Sequence, residues 1–377
     1  VSVFQQAWAR KARDPGLARR PVSQLLEDAE LLLGGRVTYA ALALFGSRAA
    51  LGRHLPQAEV VFEYRSSEAT GPAQQRLDFR VGFFSFFDAL WEAVDARNDI
   101  QSYQEGLFVW DVPTFHEAVV REAVLNAVSH RDYRLHGSVF VRQYSRRLEV
   151  VSPGGLPPGI TVENILWRQS PRNRRICEAF QRCGLVERSG QGMNRIYEEC
   201  IRHGNPLPDF AGTDDYQVAV TIRGLVEDPR FVAFLEQVGG ERLATFSTEH
   251  FLAMSRVHRQ ERIPDRLQPA LRDLIEEGIV ERVGRRRPVL SRRLHAFLGR
   301  KGAYTRKVGL DRETNKALLL KHIQDNRAEG SPLAEPRQVL PALTRNQVKG
   351  LMQALKREGR VVCRGKRRSG LWYPKDG

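Results

Sequence analysis

Residues 121–133, REAVLNAVSHRDY, constrain the fold more than any other stretch of the chain. Ala123, Val124, Ala127 and Val128 recur at helical spacing, which predicts a packed helix. Glu122 and Asn126 stand four apart, so a carboxylate and a carboxamide share one face, and His130 extends that stripe by another turn. A helix that buries its apolar side and also aims Glu, Asn and His together must find each a polar partner, because unpaired buried polar groups are costly. Two readings stand at this point. One is a site; the other is an ordinary helix with an N-terminal Glu, a surface Asn and a C-terminal His favoured by the helix dipole.

The 377 residues predict two to four domains, and 42 % hydrophobic content is enough for sizeable cores. The net charge of +15 is unevenly spread. Residues 230–377 carry 32 Lys+Arg against 16 Asp+Glu, whereas 1–229 carry 27 against 28. That asymmetry predicts a near-neutral domain joined to one that binds polyanions. Cys177, Cys183, Cys200 and Cys363 form no C-x-x-C pair, which argues against zinc and against a disulfide framework. The opening VSVFQQAWARK has no apolar signal core, and no run of 18 apolar residues occurs, so the expectation is a cytoplasmic protein with no membrane partner.

Along the chain, helices are expected at 22–33, 80–97 and 170–183, and from 193 to 203. In the second of these Phe84, Phe87, Leu90, Trp91 and Val94 fall on one stripe and read as core. Residues 37–45 fit a buried strand or a short helix equally well. Strands are expected at 60–64, 107–112 and 216–222, and 138–144 with 147–151 read as a hairpin before the loop SPGGLPPG. This order describes an α/β sandwich with helices on one sheet face. The basic third holds two similar units. Helices at 248–256 and 264–277 precede a strand at 279–283 and the Arg285-Arg286-Arg287 hairpin; helices at 316–326 and 345–358 precede a strand at 360–364, GKRRSG and 371–373. Helix, turn, helix and a basic two-stranded wing is the winged helix-turn-helix pattern, here in tandem.

A nucleotide site needs oxygen ligands for Mg²⁺, backbone N–H groups facing phosphates and a group that orients water. Asn126 offers an amide oxygen to Mg²⁺ and Glu122 a carboxylate for the water. Gly154 and Gly155 let backbone approach a base or sugar, and Gly190 and Gly192 precede a helix whose N-terminus favours phosphate.

REAVLNAVSHRDY, RRLEVVSPGGLPPGI, SPRNRRI and GLVERSGQGMNRI together resemble the C-terminal domain of bacterial RecG-like or Schlafen-AlbA-type transcriptional regulators, a divergent branch of the GHKL ATPases. The resemblance is dense over 112–221 and looser over 32–100. It implies a GHKL-type α/β sandwich at 111–226, a small α/β lead-in at 1–110, and winged helix domains at 227–305 and 306–377. It implies ATP and Mg²⁺ as cofactors, with Glu122 as general base and Asn126 as the metal ligand. Gly154 and Gly155 would line the pocket, and Gly190 and Gly192 would form the phosphate-facing loop. His130, Arg131 and Asp132 are a signature of the family, and His130 and Asp132 are carried over as cofactor-binding. Ser152 stands where the wider superfamily has an adenine-recognising Asp. The family's N-terminal AlbA-like domain is not expected in this chain.

A helicase is excluded, because no G-x-x-x-x-G-K-[ST] phosphate loop occurs. The expected function is an ATP-responsive, DNA-binding transcriptional regulator, at most a weak ATPase. Its double-stranded DNA contacts would come from Arg285, Arg286, Arg287, Arg345, Lys349, Lys366, Arg367 and Arg368, and paired half-sites would make it a homodimer. The rival is an active ATPase or kinase that uses its winged helices as a protein-interaction arm.

Overall fold

The computed structural model describes residues 1–67, 71–105, 108–186, 192–283, 287–291, 312–340, 343–365 and 370–375. Two units emerge, Val1–Pro229 and Arg230–Gly377.

The first unit begins with α1 (Ser2–Ala12) and α2 (Val22–Asp28), the short hairpin β1 (Leu32–Leu33) and β2 (Arg36–Val37), and then α3 (Tyr39–Phe45) and α4 (Arg48–His54). Next come β3 (Val60–Tyr64), β4 (Gln75–Phe79), α5 (Phe83–Asp95), β5 (Ile100–Glu105) and β6 (Phe108–Pro113). They are followed by α6 (Glu117–His130), β7 (Val139–Gln143), β8 (Arg147–Pro153), α7 (Arg174–Arg182), α8 (Gly192–Arg202) and β9 (Gln217–Arg223).

The unit is mixed α/β. Its main sheet has five strands in the order β4-β3-β7-β8-β9. The β7–β8 hairpin forms as its alternation predicts, Val141 opposite Val150. Parallel pairing of β3 with β7, Phe62 beside Val141, makes the sheet mixed. Helices cover the face bearing Val141, Gln143, Val150 and Ser152. Gln143 Nε2 donates to the Val94 carbonyl of α5, and Ser152 Oγ donates to the Ala127 carbonyl of α6 at 3.0 Å. On the other face Glu63, almost wholly buried, is ringed by Arg65, Arg76 and Arg142, whose long stems shield the sheet.

Two local expectations change, and one open alternative closes. The helix expected over 22–33 stops at Asp28, because Glu30 turns left-handed (φ 58°) and Leu31, fully buried, folds back to bond the Leu26 carbonyl. Residues 39–45 are a helix, which Thr38 caps by accepting from the Ala41 N–H. In α5 the buried stripe is Phe83, Phe86, Phe87, Leu90, Ala93 and Val94, leaving Phe84 and Trp91 half-buried, since α5 packs against both the sheet and α3.

The second unit contains α9 (Pro229–Val238), α10 (Gly240–Leu243), α11 (Thr248–Arg259), α12 (Gln268–Glu276) and the hairpin β10 (Val280–Val283) with β11 (Arg287–Leu290). Then follow α13 (Arg312–Asp325), β12 (Ser331–Pro332), α14 (Ala334–Val339), α15 (Arg345–Arg357), β13 (Val361–Arg364) and β14 (Leu371–Pro374). The last three strands form a sheet in the order β12-β14-β13. Leu319, Ile323, Val348, Met352 and Trp372 form its core, which Val289 of the first hairpin joins. Among the described residues no helix is long and apolar enough to cross a membrane.

Two histidines brace the first unit's central helices. His116, at the N-cap of α6, stacks on His203, just past α8, with centroids 3.3 Å apart. Burial, and then His203 beside it, hold His116 down to about 3, and burial likewise lowers His203. The unfolded chain protonates such rings near pH 6.5 while the fold keeps His116 neutral, so stability is complete above about 6.5 and falls as pH drops toward 3. His116→Phe should therefore show a smaller loss of urea midpoint between pH 7.5 and 5 than the wild type; equal losses would rule the stack out as the acid-sensitive element.

Candidate functional site

A cavity of about 330 Å³ opens beside α6. Val150 and Ser152 of β8 and Val218 and Val220 of β9 form its floor, and Ala123, Asn126, Ala127 and His130 of α6 form one wall. Gly192, Met193 and Ile196 bring in the start of α8, Cys177, Glu178 and Gln181 bring in α7, and Gly154, Gly155, Leu156, Ile160, Arg168 and Arg174 complete the enclosure. The lining is mostly apolar with a few converging polar groups, and the volume lies at the small end of ligand pockets.

Of the residues singled out by sequence, Asn126, His130, Gly154, Gly155 and Gly192 line this cavity. Glu122 and Asp132 do not. Glu122 is buried behind the first residue of α8: a Cβ at Gly192 would overlap the Glu122 carboxylate and stand 3.1 Å from Asn126 Oδ1. Only glycine allows that approach. The carboxylate thus sits against the start of α8, where unsatisfied N–H groups and the helix dipole favour negative charge. Asn126 Nδ2 reaches Glu122 Oε1 at 3.5 Å, a weak contact that leaves the amide oxygen facing Gly192.

Gly154 and Gly155 line the cavity, yet their close approach is to protein. Gly154 has φ +97°, and a Cβ there would meet Arg172 Nη1 and Asp132 Cβ. A Cβ on Gly155 would stand 2.7 Å from the Asp214 carbonyl oxygen. Their N–H groups are bonded to the Tyr216 and Asp215 carbonyls, which extends the β8–β9 ladder into the loop.

The His-Arg-Asp run separates by role. His130 faces the cavity, and burial, assisted by Arg172, lowers its pKa and keeps the ring neutral. Arg131 is 1 % exposed and donates to the carbonyls of Gln57, Leu135 and Gly137, so it ties together the turn that follows α6. Asp132 accepts from the backbone and guanidinium of Arg134, whose hydrogen bonds hold its carboxyl down to about 2. Asn173, expected inside the 170–183 helix, stands at the N-cap of α7, donates to the Ser129 and Arg131 carbonyls and satisfies the C-terminal end of α6.

Sequence reading left two cations of this site unassigned. Arg168 and Arg174 are exposed at the cavity wall, the latter 2.6 Å from Glu178. The signal for them is the arginine-rich run 168–175 just after a glycine-proline loop. Gly190, Arg285, Arg286, Lys366, Arg367 and Arg368 lie outside the described residues, and Arg287 is placed by its backbone in β11. Arg345 and Lys349 are exposed on α15.

Among the described residues no group of three or more His, Cys, Asp or Glu could hold a metal. Mg²⁺ seldom needs one, since it is commonly held by one or two protein oxygens together with substrate phosphates and water. An amide oxygen at Asn126 beside a helix start and two guanidinium groups fits that mode.

Comparison with known proteins bears on this region. Residues 136–222 match the family described as "Putative ATP-dependent DNA helicase recG C-terminal", which supports a RecG-like, ATPase-type domain there. The match begins after α6, so Glu122 and Asn126 precede it. No curated protein matches the chain. In fold, the chain is similar to the crystal structure of the DIP2311 protein from Corynebacterium diphtheriae, with a TM-score of 0.62 and 22 % identity over 98 % of this chain and 67 % of that one.

Two substitutions probe the site's construction. Arg131→Met should lower unfolding free energy by about 3 kcal/mol in urea titrations, because three carbonyls lose a charged donor. Gly192→Ala should displace Glu122 from the start of α8; a variant with unchanged stability and an unshifted Asn126 side-chain amide resonance would contradict the packing described.

Proposed function

We propose that the first unit is a GHKL-type sandwich that binds ATP with Mg²⁺ in the α6–α8 cavity. The second unit, on this reading, binds double-stranded DNA through tandem winged helices, which makes the chain an ATP-responsive regulator. The observation that carries the nucleotide half is convergence. Asn126 meets the Gly192 helix start, Arg168 and Arg174 around one cavity, the last three from within the ATPase-type region 136–222. Helix N-termini and guanidinium groups are complementary to phosphate, and an amide oxygen complements the cation that accompanies it.

On this reading Asn126 holds Mg²⁺, Arg168 and Arg174 neutralise phosphate oxygens, and the apolar floor at Val150, Val218 and Val220 accepts the base. Bound Mg²⁺ would polarise phosphate oxygens. Ser152 commits its proton to the Ala127 carbonyl, so it offers the cavity only an acceptor. Glu122 is screened from the cavity by the Gly192 backbone, which favours a sensor with slow turnover over a fast ATPase. The DNA half rests on the charge of residues 230–377 and on topology. Helix α13, strand β12, helices α14 and α15, then β13 and β14, with β12 paired to β14, is the winged-helix order.

Equilibrium binding of a fluorescent ATP analogue, with and without Mg²⁺, tests the reading. Asn126→Ala should abolish the Mg²⁺-dependent part of the affinity, and Arg168→Ala with Arg174→Ala should weaken binding by about tenfold or more. Glu122→Ala should retain binding and lose whatever phosphate release the wild type shows. Wild-type turnover at rates typical of enzymes would favour the active ATPase, and absence of nucleotide binding would refute the site.

A further inference from the structure

Helices α12 and α15 hold equivalent places in the second unit. Each ends at a left-handed glycine, Gly278 (φ 71°) and Gly359 (φ 70°). In each, the next residue's N–H reaches back five positions, Ile279 to Leu274 and Arg360 to Leu355, both at 2.9 Å. A strand and a hairpin follow in both. The local folding instruction is the same, and the exposed faces are opposite in charge.

On α15, Val348, Leu351, Met352 and Leu355 are buried and fix the inner stripe. Arg345, Asn346, Lys349, Gln353, Lys356 and Arg357 are exposed. No carboxylate stands among them, and none of these cations is in an ion pair among the described residues. Glu358, just beyond the helix, is held by Lys316 Nζ at 2.5 Å. Gly350 interrupts the exposed surface, and a Cβ there would meet nothing within 4 Å, so internal packing does not require its smallness. On α12 the exposed residues are Pro269, Arg272, Asp273 and Glu276, with Asp273 near His250, and Glu277, just beyond this helix as Glu358 is beyond α15, lies on Arg242.

A helix in the major groove runs between two phosphate rows, so carboxylates on its outer face are repelled from both sides. Arg, Lys, Asn and Gln are the side chains whose donors match base edges there. We propose that α15 alone enters the major groove of duplex DNA, with Arg345, Asn346, Lys349 and Gln353 toward bases and Lys356 and Arg357 toward phosphates. Helix α12 stays outside the groove. One chain then reads a single half-site. This rests on the DNA-binding reading and narrows it to one of two similar helices.

The test is fluorescence anisotropy of the full chain with a long mixed-sequence duplex, from about 50 to 200 mM salt, the range over which phosphate contacts show. Arg345→Ala with Lys349→Ala should weaken binding at least about tenfold, and Lys356→Ala with Arg357→Ala should flatten the log–log salt slope by about 1.8. Arg272→Ala with Glu276→Ala on α12 should stay within about twofold of the wild type, as substitutions away from the interface do. Gly350→Leu guards against misfolding as the cause: it should raise the melting temperature, since Gly disfavours helix, and still weaken binding about tenfold by standing between helix and groove. Equal losses from the α12 and α15 pairs, or wild-type affinity in the α15 variants, would overturn the assignment while leaving DNA binding intact. A wild type that ignores duplex at low salt would overturn the DNA-binding reading as well.

Discussion

Burial of α6 is the constraint on which the first unit depends. Nine of its residues, Glu122 and Ser129 among them, are withdrawn from solvent between the sheet and α8. A helix so enclosed cannot leave its polar groups to water, and the surrounding structure supplies partners. Ser152 on β8 and Asn173 before α7 satisfy its carbonyls, and the bare backbone at Gly192 admits the Glu122 side chain. Sheet, loop and neighbouring helix are thereby fixed against one element, and the cavity is the space left between them.

The same constraint explains why a run of three adjacent polar residues serves three purposes. Helix geometry ends at His130, so His130 still faces the cavity while the chain turns away at Arg131. Arg131, with no room to reach solvent, binds two carbonyls of the turn and the carbonyl of distant Gln57, and the Tyr133 ring lies 5.0 Å from its guanidinium. Asp132 supports the turn from outside through Arg134 and packs beneath Gly154. What reads in sequence as a compact signature is, in space, one cavity residue and two that hold the turn.

The second unit shows the complementary economy, in which one backbone pattern carries two different surfaces. Its helices share a glycine-terminated exit because inward apolar residues and a left-handed C-terminal glycine determine the backbone. The outward residues are under no such control, and there the two helices part in charge. Net charge over residues 230–377 therefore says that the unit suits a polyanion without saying which surface meets it.

Local pattern alone determined a good deal. The β7–β8 hairpin, α6, α8 and the helix-then-hairpin repeats follow from periodicity and turn residues, which act over a few positions. Asn126, His130, Gly154, Gly155 and Gly192 were legible as neighbours-to-be because helix spacing and glycine loops mark them. Tertiary structure alone decided the rest. The parallel β3–β7 pairing joins residues some eighty positions apart, and no local period encodes it. The withdrawal of Glu122 behind Gly192, the place of Asp132 beneath Gly154 and the arrival of Arg168 and Arg174 at the cavity all depend on how α6, α7, α8 and the loops beside them pack. Side-chain chemistry is written in the sequence, but which side chains share a space is settled only when distant elements are buried against one another.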